Sequence, residues 1–229
     1  MSESSNLQLR EEFNRWAADG RGEQMEEHHL SIARQTIERM KLVPGNTVLD
    51  LGCGAGWATR LLARQVAPSL VVGVDVSDQM IARATAASKG IENLRFSTGS
   101  AEELPLDDGS IAKVLSIESF YYYADQEKAL RELYRVMAPE GQIFILINLY
   151  RENPYSLRWV DALSVPVQVH SDAEYLVMLT EAGFEGARSE RIPDLTPTPA
   201  EYRGKWFANA GELRDFKRIG ALLLTATRP

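Results

Sequence analysis

The chain is 229 residues long, 45% hydrophobic and 25% charged, which suits one α/β domain with a sizeable core. A formal net charge of -7 supplies no basic footprint for a phosphate backbone, so a nucleic-acid substrate is disfavoured. The lone cysteine cannot form an internal disulfide, no apolar run approaches the ~20 residues of a bilayer span, and the first residues lack a signal peptide's apolar core. A cytoplasmic location is the expectation.

Leu7 to Trp16 reads as a short helix, broken by the stretch Ala17 to Gly22. A second helix, about Met25 to Met40, repeats Leu30, Ala33, Ile37 and Met40 at helical spacing. Pro44-Gly45-Asn46 turns the chain into a first strand, Thr47 to Leu51. Gly52, Gly54 and Gly56 follow at alternate positions, then a helix from Trp57 to Val66 with a loop at Pro68. A strand, a sharp glycine turn and a helix in that order make the nucleoside- or phosphate-binding corner of an open α/β sheet. A dinucleotide fingerprint would place its third glycine at position 57, which is Trp57, so a nicotinamide dehydrogenase is disfavoured.

The second strand runs from Leu70 to Val74 and ends at Asp75, after which Asp78 is the expected N-cap of a helix through Ser88. Leu94 to Thr98 and Ile111 to Ile117 are the next strands. A helix, Gln126 to Met137, leads through the turn Pro139-Glu140-Gly141 to a fifth strand, Gln142 to Ile147. The alternation predicts a doubly wound, mostly parallel sheet. Residues 148–170 break that rhythm and read as an insertion over the substrate pocket, with one short helix from Ser156 to Leu163. A helix from Asp172 to Ala182, a strand from Gly186 to Ile192, loop and helix over Pro199 to Arg218, and a last strand from Ala221 to Thr227 complete the reading. One domain over 1–229 is expected, seven-stranded with a final antiparallel strand, and residues 1–43 form a helical lid.

Asp50-Leu51-Gly52-Cys53-Gly54-Ala55-Gly56 resembles the first motif of the class I S-adenosylmethionine-dependent methyltransferases, in their small-molecule, type 11-like branch. Gly73-Val74-Asp75-Val76-Ser77 looks like the family's second motif, and Gly99-Ser100-Ala101-Glu102-Glu103-Leu104-Pro105 like its adenine loop. The resemblance implies a Rossmann-like fold with S-adenosylmethionine as cofactor. It places the cofactor against Gly52, Gly54 and Gly56, its ammonium near Asp50 and its ribose hydroxyls on Asp75. Val76 and Met80 would flank the adenine. Ser100 stands where the family has aspartate, so the adenine amino group would meet this hydroxyl or Glu102, and the Ala101 amide would donate to the ring. Ile117 and Glu118, ending the fourth strand, would lie near the methionine portion. The stretch Ala129 to Gly141 resembles a further family helix and turn, with Glu140 replacing the usual first glycine.

Methyl transfer of this kind is an in-line displacement and needs no fixed triad. His29, His170 and Glu118 are the candidate bases for an oxygen or nitrogen acceptor, with His28 beside them; a carbon acceptor needs less help. Adjacent histidines diverge by ~100° on a helix, so no metal site is expected. Trp16, Tyr121, Tyr122 and Trp159 are the candidate pocket wall, with Tyr155 beside Trp159, although three consecutive tyrosines, Tyr121 to Tyr123, are not all expected in a core. Cys53 reads as a small spacer. The expected partner is a small-molecule methyl acceptor, and the alternative is a non-catalytic cofactor-binding scaffold for another subunit.

Overall fold

The computed structural model describes residues 2–66 and 69–229, so the loop expected at Pro68 lies outside the described residues. Two helices come first, α1 (Ser2–Ala18) and α2 (Arg21–Arg39), separated at Gly20, whose φ of 71° is one that glycine adopts without strain. Both begin before the positions expected from hydrophobic spacing, because their first turns are polar and carry no apolar period.

Seven strands follow: β1 (Val48–Leu51), β2 (Val71–Asp75), β3 (Leu94–Thr98), β4 (Ile111–Ile117), β5 (Met137–Ile147), β6 (Glu185–Ile192) and β7 (Ala221–Thr227). They form one sheet in the order β3-β2-β1-β4-β5-β7-β6. Strands β1 to β5 pair in parallel, and β7 runs antiparallel to both β5 and β6. Every residue of β1 and β2 is buried, as befits strands covered on both faces. The cover comes from α3 (Trp57–Val66), α4 (Asp78–Ala87), α5 (Gln126–Val136) and α7 (Asp172–Glu181), with short α6 (Pro154–Leu157) and α8 (Ala210–Ile219) near the top. The chain runs outward from β1 to β3, then returns to β4 on the other side of β1. That reversal opens a crevice at the carboxyl ends of β1 and β4.

Three local expectations are corrected. Ser77, not Asp78, caps α4: its Oγ accepts from the Met80 amide at 3.0 Å, and Asp78 is the first helical residue. β5 begins at Met137 instead of Gln142, because Met137 pairs with Ile111 of β4 before a register shift; Glu140, at a left-handed φ of 62°, donates its amide to the Arg228 carbonyl just past β7 (2.8 Å). The helix expected over Ser156–Leu163 is instead α6 plus a single 3-10 turn at Val160–Ala162.

Helix α1 is tied down by side chains. From α1, Arg10 Nε and Asn14 Nδ2 each donate to Asp78 Oδ1 at 3.0 Å, and Asn14 Oδ1 accepts from Ser77 Oγ at 2.6 Å. Glu12, only 6% exposed, accepts from the Trp16 indole (2.7 Å), from Arg15 and from Ser164 in the insertion. Burial pushes its carboxyl up, yet the hydrogen bonds from Ser164, Arg15 and Trp16 together hold it below the usual range. No helix among the described residues is long and apolar enough to cross a membrane.

Candidate functional site

A cavity of about 750 Å³ opens at the carboxyl ends of the strands, within the ~300–1,000 Å³ of ordinary ligand sites. Its floor is the turn after β1. A Cβ on Gly52 (φ 75°) would sit 2.4 Å from Ser119 Cβ, so only glycine fits. Gly54 donates its amide to Asp75 Oδ2 (2.9 Å), and a Cβ built on it meets nothing within 4 Å, so its backbone lies open to the cavity. Gly56 does not line the cavity, which corrects its expected place. A Cβ there would lie 2.8 Å from Phe96 and 2.9 Å from Ala84, so this glycine lets the turn pack on β3 and α4. Cys53 is buried, and burial pushes its thiol well above the ordinary range, which suits an inert spacer.

Of the acidic residues lining the cavity, Asp50, Asp75 and Glu118 lie nearest the glycine turn in the chain's fold, at the ends of β1, β2 and β4. Asp75 ends β2 and accepts from the Ser77 and Gly54 amides, each at 2.9 Å; burial pushes its carboxyl up, against the pull of those two bonds. Asp50 lies in β1, accepts from Thr59 Oγ1 at 2.6 Å, and is pushed up to about 7 by burial, with the charge of Asp75 adding to the effect. Glu118 follows β4 in a left-handed conformation (φ 52°), a strained backbone for a residue with a side chain. Its Oε1 accepts from the Asn148 amide (2.6 Å) and its Oε2 from the Tyr121 hydroxyl (3.0 Å), and burial pushes it up to about 7. Among the described residues none of the three is paired with a lysine or arginine. A cationic ligand would therefore relieve the cost of their burial.

The Glu118 shift has a sign that can be checked. Between about 4.5 and about 7 the unfolded chain sheds this proton before the folded one, so its carboxyl takes stability away as pH rises through that window. Thermal midpoints of Glu118→Gln should gain on the parent protein as pH climbs from 4.5 to 7 and keep a constant lead above it. A lead that does not change with pH removes Glu118 from this account.

Val76, Met80, Ser100, Ala101 and Ile117 also line the cavity. Ser100 Oγ is already engaged, accepting from Asn6 (3.2 Å) and from the Glu102 amide (3.2 Å). Glu102 lines the cavity too, but it accepts from the Asp125 amide (2.9 Å) and from Asn6 (3.3 Å), which ties this loop to the start of α5. The Ala101 amide donates to nothing among the described residues.

Around the side, Trp16 and Tyr122 meet Phe13 edge-on at 5.1 Å each, and Tyr121 packs at 4.6 Å against Tyr122 with the rings tilted by 51°. Contrary to expectation, Tyr121, Tyr122 and Tyr123 are all at least nine-tenths buried and all line the cavity. They sit on and beside the single 3-10 turn Phe120–Tyr122, and Tyr123 lies 2.9 Å from Ser119 Oγ. Trp159 lines the far end within a second aromatic group, 5.4 Å from Phe216, 5.9 Å from Trp206 and 6.4 Å from Phe207. Tyr155 is not among the lining residues; its hydroxyl reaches Asp215 at 3.3 Å. Trp206, Phe207 and Phe216 were missed by sequence reasoning, and the adjacent Trp206-Phe207 pair in a polar stretch was the available signal.

His28 and His29 both line the cavity. His29 Nδ1 lies 3.0 Å from the Met25 carbonyl, which only accepts, so this nitrogen carries the proton. Burial pushes the ring down to about 4, leaving it neutral with Nε2 as an acceptor. His170 is elsewhere. Its amide donates to the Tyr175 hydroxyl, and it lines a separate recess with Gln168, whose side chain is pinned to the Tyr123 and Ala124 carbonyls. It is therefore corrected as a base for this cavity. Among the described residues no group of three metal-ligating side chains occurs.

A family model for a methyltransferase domain, type 11, matches residues 49–145. The arsenite methyltransferase of Halobacterium salinarum is 33% identical over 193 residues, covering 81% of this chain and 46% of its own length. A ubiquinone/menaquinone biosynthesis C-methyltransferase of Ectopseudomonas mendocina is 32% identical, covering 69% of this chain and 72% of its own. The chain spans about half the length, or less, of most other curated relatives it matches. Among solved structures, a chain from the complex between the Haloferax volcanii Trm112 methyltransferase activator and a methyltransferase superposes with a TM-score of 0.90 at 34% identity, covering 95% of this chain and 98% of that one.

Proposed function

Because this chain belongs to the class I S-adenosylmethionine-dependent methyltransferases, in the type 11 branch, we propose that it moves a methyl group to a small-molecule acceptor held in the far half of the cavity. The observation that carries this reading is the continuity of one cavity from the glycine turn and Asp75 to the aromatic wall. The chemistry of the near half fits a cationic nucleoside. An open glycine backbone, a carboxylate at the tip of β2, the free Ala101 amide and two further unpaired carboxylates face it.

S-adenosylmethionine, when bound, supplies an electrophilic sulfonium methyl group open to in-line attack. The chain's own work is to hold and exclude. Gly52 and Gly54 let a ligand lie against the backbone, Asp75 offers its remaining lone pairs to the ribose diol, and Val76 and Met80 flank a flat ring. Asp50 faces the ammonium. Glu118, poised near 7, accepts the proton from an acceptor hydroxyl or amine, with Tyr121 and Asn148 fixing its carboxylate. His29, already neutral above about 4, is the second base in reach of the cavity. The helices over residues 1–43 and the insertion over 148–170 keep water out.

An arsenite acceptor is disfavoured. That ion is soft and thiophilic, and the one cysteine here is buried with its thiol held protonated. Membership of the family and the likeness to a chain from an activator complex support a further reading: the chain takes a small activator protein as partner.

The test is tritium transfer from labelled S-adenosylmethionine into small-molecule extract, with and without the Haloferax volcanii Trm112 activator. Label in an extractable small molecule is expected, rising with pH through about 7 and losing that limb in Glu118→Gln. Tight S-adenosylhomocysteine binding without label under either condition would favour the non-catalytic scaffold.

A further inference from the structure

Residues 49–145 supply the near half of the cavity, whereas the far wall is built from chain that the family match does not cover. Trp159 stands there with Trp206 at 5.9 Å, Phe207 at 6.4 Å and Phe216 at 5.4 Å, and Phe207 packs on Phe216 at 5.0 Å and on Tyr202 at 5.5 Å. These rings come from the insertion, from the loop before α8 and from α8 itself. The loop is framed rather than loose: Lys217, its side chain 13% exposed, donates to Thr196 Oγ1 at 2.7 Å and pairs with Asp194 at 3.5 Å.

Two features give this box a chemical preference. Its neighbouring acids are already satisfied, Glu212 by Arg158 (3.1 Å) and Asp215 by Arg218 (3.0 Å) and the Tyr155 hydroxyl (3.3 Å). Lys205 lies over the Trp206 ring at 4.5 Å, so a positive charge already sits against the box and repels another cation. A cationic acceptor would find no counter-ion here. The Trp159 indole N–H is buried and donates to nothing among the described residues, but it is closed even to water, so the box meets a ligand with ring surface alone.

We propose that the aromatic box Trp159, Trp206, Phe207 and Phe216 is the acceptor's binding site, and that it takes a neutral aromatic or polyunsaturated molecule through ring contacts. The proposal rests on the methyltransferase reading and names the acceptor class for it. Flat rings fit edge and face against such a box, and Trp206, 37% exposed, stands at its open side.

The probes are 1-naphthol, naphthalene and 1-naphthylmethylammonium, titrated by calorimetry into protein saturated with S-adenosylhomocysteine. Naphthol should bind at least about tenfold more tightly than the ammonium, a difference of about 1.4 kcal/mol. Trp206→Ala and Phe207→Ala should each weaken naphthol about tenfold or more while leaving S-adenosylhomocysteine affinity within about twofold. Trp159→Ala should weaken naphthol and naphthalene alike, because the box offers neither of them a hydrogen bond. Equal binding of naphthol and the ammonium, or box variants that bind naphthol like the parent, overturns the proposal. Failure to bind S-adenosylhomocysteine in the first place overturns the methyltransferase reading beneath it.

Discussion

Replacing Asp75 by alanine is expected to weaken S-adenosylhomocysteine binding by roughly a hundredfold or more, measured by calorimetry. Each hydrogen bond from a ribose hydroxyl to a carboxylate contributes about 1.5–3 kcal/mol, and two are lost together. The substitution does more than remove a contact. Asp75 also receives the Gly54 and Ser77 amides, so it holds the glycine turn in register with the start of α4. Asp75→Asn separates the two roles. The amide keeps the shape and one acceptor oxygen, so it should preserve much of the turn while losing the charge. An intermediate affinity for Asn is expected, with thermal midpoints close to the parent. Unchanged affinity in Asp75→Ala would remove the carboxylate from the binding site.

Gly52→Ala is expected to lower the stability of the whole domain by about 3 kcal/mol, and its thermal midpoint by roughly 6–12 °C. Two costs add. A side chain at φ 75° carries a penalty of about 1–2 kcal/mol, and the new methyl would stand 2.4 Å from Ser119 Cβ. That neighbour cannot step aside cheaply. Its hydroxyl is held by the Leu51 carbonyl at 3.0 Å, by Ser116 at 2.7 Å and by Tyr123 at 2.9 Å. Displacing it would disturb the tyrosine turn as well, so cofactor affinity should fall with stability. Gly54→Ala is the contrast. It carries a similar φ penalty, but its methyl meets open space, so it should cost less than half as much stability. Equal midpoints for the two variants would show that φ alone decides and that Ser119 yields.

The central strands β1 and β2 are buried on both faces and read as short, mostly apolar runs, whereas edge strand β3 and half-buried β4 were legible from the turn residues that bound them. β3, β4 and β7 match their expected bounds residue for residue. What the pattern missed was governed by partners distant in the chain. Glu140 sits in a left-handed conformation with its amide on the Arg228 carbonyl, a partner far along the chain that nothing near Glu140 announces. The tyrosines show the same limit. Strand or helix geometry would send three neighbours in divergent directions, whereas a 3-10 turn beneath a helical lid buries all of them.

The two halves of the cavity differ in the same way. Its floor is local: Gly52, Gly54 and Asp75 belong to one strand-turn-helix-strand unit, so their spacing carried their arrangement. Its far wall joins positions 159, 206 and 216, which share no period. His170 looked equivalent to His29 as a lone histidine, yet Gln168 anchors its segment behind the Tyr123 and Ala124 carbonyls, away from the main cavity.

One carboxylate couples the two covers of the cavity. Glu12 grips its own helix through Arg15 and Trp16 and the late insertion through Ser164, at a site almost closed to water. Roof and side wall thus share a single rivet. Separating them would strip a largely buried anion of a donor, so the positions of the first helix and of the segment carrying Ser164 are energetically coupled.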